Sequence, residues 1–178
     1  MERNERILSK CSRWGVDFLM ILVMLGTQNN SFIRLLKELD RLKEKKIIKE
    51  DIIVQAGYTK YDSKNLEIFD FIEKDKLEEY QNKSDLIITH GGVGSNISSL
   101  KKNKKVIAIP RLKEYSEHVN DHQKDIIESF SNNGYIIGIN DIKELEDAYK
   151  KSKDFKPKKY TPNNSKIIKI VEDFIDMC

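Results

Sequence analysis

Short runs of aliphatic residues alternate with helix-like segments along most of the chain. Met20–Leu25, Asp85–Thr89 and Val106–Ile109 are apolar runs bounded by turn residues, which is typical of buried strands. Between them lie segments such as Ser31–Leu42, whose apolar residues recur at helical spacing. Strands that alternate with helices favour a parallel sheet covered by helices. We therefore predict an α/β fold, a Rossmann-like αβα sandwich with a parallel sheet of about six strands.

The other predicted elements complete this pattern. The further strands are Asp51–Gln55, Leu66–Ile72 and Tyr135–Ile139, and the further helices are Lys74–Lys83, a helix that follows a glycine-rich turn and ends near Lys102, His118–Ser131, Ile142–Lys151 and Ser165–Met177. A proline-bounded segment, Pro157–Pro162, is interpreted as a linker before the final helix.

The pattern assigns residues 20–178 to a single domain that ends in a helix over residues 165–177. Residues 1–19 lie outside the pattern, so we interpret them as an N-terminal extension or as the product of an upstream start codon. The longest apolar run, Phe18–Leu25, is far shorter than the roughly twenty residues of a membrane-spanning helix. No small-residue cleavage site follows it, so we expect neither a secretion signal nor a spanning helix.

Charge and cysteine content limit the function classes. The chain has 32 Lys and Arg against 29 Asp and Glu, a net charge of +3. Because nucleic-acid binders usually concentrate a basic excess on one face or tail, we expect no nucleic-acid partner. The lysines are interpreted as ordinary solvated surface, with contact to an anionic membrane as the alternative. Cys11 and Cys178 show no zinc-ligand spacing, which favours a reducing cytoplasm.

The most informative segment is Thr89-His90-Gly91-Gly92-Val93-Gly94-Ser95-Asn96. It joins a predicted strand to a predicted helix, at the strand end where open α/β sheets bind ligands. Glycines let a backbone approach an anion closely, and the following helix offers free N–H groups. We expect a phosphate or diphosphate here, with an ordinary glycine-rich turn as the alternative. The glycine spacing matches neither GxGxxG nor a Walker loop, which argues against a dehydrogenase or an ATPase.

A second polar segment, Arg111–Gln123, follows the strand that Pro110 ends. It concentrates histidines, carboxylates and amides, a mixture too polar for a core and too varied for a plain solvated face. His118 and His122, four residues apart, would share one face of the predicted helix. A metal is not expected, because neither HExxH nor a third ligand is present. A plain polar loop is the alternative.

Together these segments resemble the C-terminal, UDP-sugar-binding half of family 28 glycosyltransferases, which have the GT-B fold. The motifs that carry the resemblance are Gly26-Thr27 after the first strand, the His90–Ser95 loop, Pro110-Arg111, and Glu117-His118-Val119-Asn120-Asp121-His122-Gln123, in that order. The resemblance is closest to short catalytic subunits of bacterial capsule and exopolysaccharide synthesis. It extends to the C-terminal domain of the lipid II synthase and, more distantly, to a eukaryotic subunit that adds N-acetylglucosamine to a dolichol diphosphate.

The resemblance also implies roles for individual residues. The implied nucleotide-sugar-binding residues are Gly26, Thr27, His90, Gly91, Gly92, Gly94, Ser95, Ser98, Arg111, Asn120, His122 and Gln123. Ser98 stands where many members carry a ribose-binding glutamate, and a hydroxyl holds a ribose less strongly than a carboxylate does. Glu117 and His118 are the candidate general bases on this chain, although we expect the base on a partner.

The resemblance implies an inverting hexosyltransferase that uses a UDP-sugar donor and no cofactor or metal. It would transfer galactose, glucose, glucuronic acid or N-acetylglucosamine to a polyprenyl-diphosphate-linked saccharide of capsule or exopolysaccharide synthesis. Because the chain is too short for both GT-B domains, we expect a membrane-anchored, acceptor-binding partner that holds it at the cytoplasmic face of the plasma membrane. A non-catalytic nucleotide-sugar-binding or enhancer subunit is the alternative. A stand-alone transferase with a small acceptor is a third possibility.

Overall fold

A six-stranded parallel sheet with helices on both faces forms the centre of the molecule, in a computed structural model that describes residues 20–161. The strands are β1 (Met20–Met24), β2 (Asp51–Gln55), β3 (Glu67–Phe69), β4 (Leu86–Thr89), β5 (Lys105–Ala108) and β6 (Ile137–Gly138). They lie in the order β3-β2-β1-β4-β5-β6. The helices are α1 (Ile33–Glu44), α2 (Lys74–Lys83), α3 (Val93–Lys101), α4 (Gln123–Asn132) and α5 (Leu145–Ser152), with short 3-10 helices at Lys113–Tyr115 and Ile142–Glu144. The predicted Rossmann-like sandwich is confirmed.

The central strand β1 is apolar on both faces. Ile21 and Val23 belong to one hydrophobic cluster, and Leu22 and Met24 belong to the other. A continuous apolar run of this kind is typical of a parallel strand that helices cover on both sides. Met24 pairs in register with Thr89 of β4, so the two strands end level at the same edge of the sheet.

Two helical layers complete the sandwich. On one face α1 buries Leu35, Leu36, Leu39 and Leu42 completely, because their i, i+3 and i+4 spacing places them on one side of the helix. Full burial of a leucine side chain stabilises a fold by about 1.5–3 kcal/mol, so this face anchors α1 firmly. Helix α5 joins the same layer, whereas α2, α3 and α4 cover the opposite face.

The structure shortens several predicted elements. The edge strands β3 and β6 each have a single neighbour, and both are shorter than the predicted runs Leu66–Ile72 and Tyr135–Ile139. Helix α4 begins at Gln123 rather than at His118. Ser116, two residues before the predicted start, adopts a left-handed conformation with φ of 56°, so the 3-10 helix Lys113–Tyr115 does not continue into this segment.

The predicted linker at residues 157–162 is described as far as residue 161, and it is not detached from the domain. Tyr160 is buried and packs edge-on against Tyr135, with 5.6 Å between the ring centroids. The backbone N–H of Lys158 donates to the Gly134 carbonyl over 3.0 Å. The chain therefore returns after α5 to the face that α2, α3 and α4 cover.

The predicted extension over residues 1–19 and the predicted helix over residues 165–177 lie outside the described residues, as do Cys11 and Cys178. Within residues 20–161, no helix combines the length and the apolar character that crossing a membrane requires.

Candidate functional site

The strand order reverses direction between β1 and β4. From β1 the chain winds outward through β2 and β3, and it then returns to β4 on the other side of β1. The loops after β1 and β4 lead to α1 and α3 on opposite faces, and this divergence opens a crevice at the carboxyl edge of the sheet. Gly26 and His90 lie in these two loops. The structure therefore places the predicted Gly26-Thr27 motif and the predicted His90–Ser95 loop together, where open α/β sheets bind ligands.

The His90 ring sits between glycines from both loops. A Cβ on Gly26 would lie 2.6 Å from His90 Cε1, and a Cβ on Gly92 would lie 2.5 Å from His90 Nε2. Both distances are shorter than real side chains show, so the ring occupies space that only glycine leaves open. Gly26 also has a φ of 76°, which other residues rarely adopt. Two glycines far apart in the sequence are thus needed to seat one imidazole.

His90 is held as a neutral side chain. Only 7% of the residue is exposed, and Nδ1 lies 3.2 Å from the Met24 carbonyl oxygen. Burial, together with the positive charge of Arg111, lowers the pKa of His90 to about 4. The Met24 carbonyl acts in the opposite direction but more weakly. At neutral pH the crevice therefore contains an uncharged imidazole.

The amino terminus of α3 opens onto the same crevice. Gly92 is its N-cap residue, and no side chain caps this end. Because the first N–H groups of a helix have no intrahelical acceptor, they are available here to a bound anion. Gly91 has a φ of 82°, and a Cβ there would lie 2.5 Å from Ile127 Cδ1. A Cβ on Gly94, in contrast, would meet nothing within 4 Å. The described chain therefore does not itself require glycine at position 94, and the space above the helix end stays open.

Three polar residues at the end of this motif and just after it, including the predicted Ser95 and Ser98, make hydrogen bonds within the domain. The Ser98 hydroxyl donates to the Ser95 carbonyl and accepts from Gln81 Nε2 of α2, both over 3.1 Å. Asn96 Nδ2 donates to the Gly91 carbonyl over 3.3 Å, which stabilises the turn, and Ser95 provides carbonyl contacts within α3. Ser98 is thus engaged with α2, the helix next to its own.

Arg111 is fully buried beneath the crevice. Its Nη2 donates to the Leu25 carbonyl over 2.6 Å, and its backbone N–H donates to Gln123 Oε1 over 2.9 Å. Nε and Nη1 are buried without a hydrogen-bond partner among residues 20–161. Burial lowers the pKa of Arg111 to about 10, opposed by nearby Glu117, so the guanidinium stays charged at neutral pH. A positive charge therefore lies directly under the turn that holds Gly26.

Glu117 is tied to α1. Its two carboxylate oxygens accept from Arg34 Nε over 2.8 and 2.9 Å, and one also accepts from the Leu112 N–H over 3.1 Å. Arg34 Nη2 donates to the Pro110 carbonyl over 2.6 Å, and the guanidinium lies between the rings of Phe32 and Tyr115. Burial raises the pKa of Glu117, while Arg34 opposes that rise. The carboxylate is therefore occupied in fastening this loop to α1.

The prediction that His118 and His122 share one helical face is wrong. His118 lies in a bent segment before α4, where Nδ1 lies 3.0 Å from the Asn120 carbonyl oxygen, and His122 is the N-cap residue of α4. Asp121 also accepts from the Lys113 N–H over 2.9 Å. Such side-chain bonds to the backbone compete with helix formation. Within residues 20–161, no group of three potential metal ligands forms.

Thr27 is exposed on the turn after β1, and the His122 ring Nδ1 lies 3.6 Å from the Asp125 carboxylate.

Two cavities, of about 380 Å³ and 370 Å³, lie at the opposite edge, where β5 begins at Lys105. None of the crevice residues borders either cavity. Both cavities thus lie away from the crevice.

Several residues that build the site were missed by sequence reasoning. Arg34 and Phe32 belong to an ordinary amphipathic helix pattern, and Arg34 meets Glu117 across 83 residues of sequence. No local signal reports such a contact. The Met24 and Leu25 carbonyls, which orient His90 and Arg111, carry no side-chain signal at all.

Comparisons with known proteins identify a family and several relatives of this chain. The profile of the Glycosyltransferase family 28 C-terminal domain matches residues 20–177. The UDP-N-acetylglucosamine transferase subunit ALG13 of Candida glabrata is 40% identical over 70 residues, which make up 39% of this chain and 33% of that relative. The match thus spans about a third of the curated relative's length.

Two solved structures show the same fold. The NMR solution structure of ALG13 superposes with a TM-score of 0.58 at 18% identity, over 85% of this chain and 94% of that chain. The crystal structure of the glycotransferase of kitacinnamycin gives a TM-score of 0.59 at 14% identity, over 80% of this chain and 36% of that chain.

Proposed function

The chain belongs to the family of the glycosyltransferase family 28 C-terminal domain, and we propose that it is the donor-binding subunit of a UDP-sugar-dependent glycosyltransferase. The observation that carries this proposal is the convergence at one crevice of the Gly26 turn, the His90 ring and the uncapped end of α3. An uncapped helix amino terminus next to glycines is suited to a diphosphate. The leaving group of sugar transfer from a nucleotide sugar is such a diphosphate.

Departure of the nucleotide diphosphate builds negative charge, and preorganised donors lower the barrier to it. The N–H groups at the start of α3 are such donors, and the buried charge of Arg111 lies close enough to act on His90 beside them. Removing one well-placed donor of this kind typically costs a factor of about 10²–10³ in rate. We assign this stabilisation to the chain, with Gly26, Thr27, Asn120, His122 and Gln123 lining the donor site.

The general base is assigned to a partner rather than to Glu117. Both Glu117 oxygens already accept from Arg34, and one also accepts from the Leu112 N–H. A base must be free to accept a proton from the acceptor hydroxyl. The occupied carboxylate also favours a second candidate function. In this alternative the chain is a non-catalytic subunit that binds the nucleotide sugar, and another polypeptide carries out the transfer. The inverting stereochemistry remains part of the proposal.

Exposed apolar side chains support a partner that covers the crevice. Within residues 20–161, the exposed large hydrophobic residues are Ile33, Tyr58, Phe71, Tyr115 and Val119. Each follows the carboxyl end of a strand, so all of them lie at the edge that carries the crevice. Tyr58 and Phe71 form an edge-on pair with 5.4 Å between ring centroids, and Val119 is 77% exposed. An apolar rim around a polar site is typical of a protein-binding surface.

We propose that the partner is membrane-anchored and presents a polyprenyl-diphosphate-linked saccharide. The name of the Candida glabrata relative favours N-acetylglucosamine among the hexoses that we considered. The relatives give no support to a role in bacterial capsule or exopolysaccharide synthesis.

Calorimetric titration of the chain with UDP, ADP and GDP tests donor binding. We expect UDP to bind more tightly than the other two, and equal or absent binding of all three would overturn the proposal. Transfer is then measured with the purified chain alone and with partner-containing membranes. Transfer to a lipid-linked acceptor that requires the membranes supports the subunit, whereas full turnover by the chain alone overturns the need for a partner.

A further inference from the structure

His90 has two ring nitrogens, and the domain uses only one of them. Nδ1 lies 3.2 Å from the Met24 carbonyl oxygen, which can only accept a hydrogen bond. Nδ1 must therefore carry the hydrogen in this contact. In a neutral imidazole the other nitrogen, Nε2, is then an acceptor with a lone pair.

Nε2 is the nitrogen next to the backbone that we propose binds the diphosphate. It is the ring atom closest to the Cβ position of Gly92, the N-cap residue of α3. Within residues 20–161, His90 makes its hydrogen bond through Nδ1 alone. A lone pair facing a diphosphate is repulsive, whereas a protonated Nε2 would donate a charge-assisted hydrogen bond to it.

The charged groups that surround His90 oppose protonation while the crevice contains no anion. Arg111 acts from the end of β5 and His118 acts from the loop before α4. The Gly26 turn and the first turn of α3 contribute no titratable side chain. Burial and the charge of Arg111 together hold the pKa of His90 at about 4. A bound diphosphate would reverse the balance, because a close opposite charge typically shifts a pKa by about 1–3 units and a diphosphate carries more than one charge.

We infer that His90 binds the donor diphosphate as an imidazolium, taking up one proton as the nucleotide sugar binds. This inference rests on the proposed donor-binding function. The proton comes from the solvent and forms an N–H bond at Nε2, while Nδ1–H stays on the Met24 carbonyl. Departure of the nucleotide lets the proton return to the solvent. His90 thus supplies positive charge only when the anion is present.

Calorimetry with UDP-N-acetylglucosamine measures this proton directly. Titrations at about pH 6.5 in two buffers of different ionisation enthalpy give the number of protons taken up per bound ligand. The nucleotide sugar is used rather than UDP because the terminal phosphate of UDP itself titrates near pH 6 and would confuse the proton count. The diphosphate of the nucleotide sugar is esterified at both ends and has no such proton. We expect uptake approaching one proton, and a Kd that rises by up to about tenfold per pH unit between about pH 6.5 and 8.

Among the 3 histidines of the chain, His118 provides the matched control, because the proposed donor site does not include it. His90→Gln places a permanent amide donor where Nε2 lies and should abolish the uptake, whereas His118→Gln should retain it. Uptake that persists in His90→Gln would overturn the inference.

A spectroscopic measurement on the unaltered protein covers the case in which His90→Gln does not fold. Nitrogen-15 shifts of the three imidazoles report both the tautomer and the protonation of each ring. We expect Nδ1–H neutral His90 in the free protein and a doubly protonated ring after UDP-N-acetylglucosamine binds. Binding without proton uptake, with His90 neutral in the complex, overturns this inference and leaves the proposed function standing. Absence of nucleotide-sugar binding overturns the proposed function, and this inference fails with it.

Discussion

The Arg111 guanidinium reaches past the end of β4 and donates through Nη2 to the Leu25 carbonyl oxygen over 2.6 Å. Since β4 lies between β5 and β1, this bond connects the carboxyl ends of two strands that are not neighbours. The charge of Arg111 also faces His90 and helps to lower the pKa of that imidazole. One buried side chain therefore shapes both the backbone and the electrostatics of the crevice.

Replacing Arg111 by methionine should raise the pKa of His90 above about 4, because it removes a like charge but leaves the burial unchanged. The unpaired Leu25 carbonyl should also lower the free energy of unfolding by about 1–3 kcal/mol. NMR titration of the His90 ring checks the first effect. Arg111→Lys, which keeps the charge, is the control. An unchanged His90 pKa in Arg111→Met would show that burial alone sets it.

Acidification should destabilise the fold through His90. The unfolded chain binds a proton at a pKa near 6.5, whereas folded His90 resists protonation down to about 4. The unfolded state therefore binds more protons in this window, and the free energy of unfolding falls as the pH drops through it, by up to about 3 kcal/mol. Urea unfolding at several pH values measures this. His90→Gln should flatten the dependence between about pH 4 and 6.5, and an unaltered slope in that variant would contradict the assignment.

Gly94→Ala and Gly92→Ala separate ligand contact from folding. A Cβ at Gly94 meets nothing within 4 Å, so alanine there should preserve stability or raise it by up to about 1 kcal/mol. If the diphosphate occupies the open space, the same methyl group should weaken UDP binding at least tenfold, or about 1.4 kcal/mol. Gly92→Ala should destabilise the fold as well, because its Cβ would lie 2.5 Å from His90 Nε2. Unchanged UDP affinity in Gly94→Ala would place the diphosphate elsewhere.

Gln123→Ala should cost stability as well as activity. Gln123 is buried and its Oε1 accepts from the Arg111 N–H over 2.9 Å, so truncation leaves a buried donor unpaired. We expect a loss of about 1–3 kcal/mol in the free energy of unfolding. His122→Ala, at a half-buried position, should reduce transfer at least tenfold with a smaller change in stability. Thermal unfolding and transfer assays on both variants test this. Equal stability losses would contradict the distinction.

Glu117→Gln and Arg34→Gln distinguish a positioning role from that of a general base. Each change breaks the same ion pair, so both should lower stability by about 1–3 kcal/mol, and Arg34→Gln should lower it more because it also removes the bond to the Pro110 carbonyl. Transfer in the presence of partner membranes should fall to a similar, moderate extent, and its pH profile should keep its shape. A base would instead lose about 10²–10⁴ in rate. A loss of that size in Glu117→Gln, absent from Arg34→Gln, would make Glu117 the base.

Local patterns predicted most of the architecture. The predicted strand Asp51–Gln55 and the predicted helix Lys74–Lys83 have the bounds that the structure shows. Apolar runs, turn residues and helical spacing act over a few residues, so they can be read from neighbours in the chain. The predicted start of a helix at His118 was wrong because contacts outside this short segment decide its conformation. Its polar residues fit a helix, but Glu117 and Asp121 bond instead to backbone groups of residues 112 and 113.

Short-range pattern and turn chemistry are enough to predict the parallel α/β sandwich and the position of the His90 loop at a strand end. The folded chain was needed to show that the crevice lies between β1 and β4, that Arg34 holds Glu117, and that His90 is neutral. Strand order and ion pairing join segments that are far apart in the chain. A pKa depends on the burial and charges that packing creates, and neither is encoded in any local stretch.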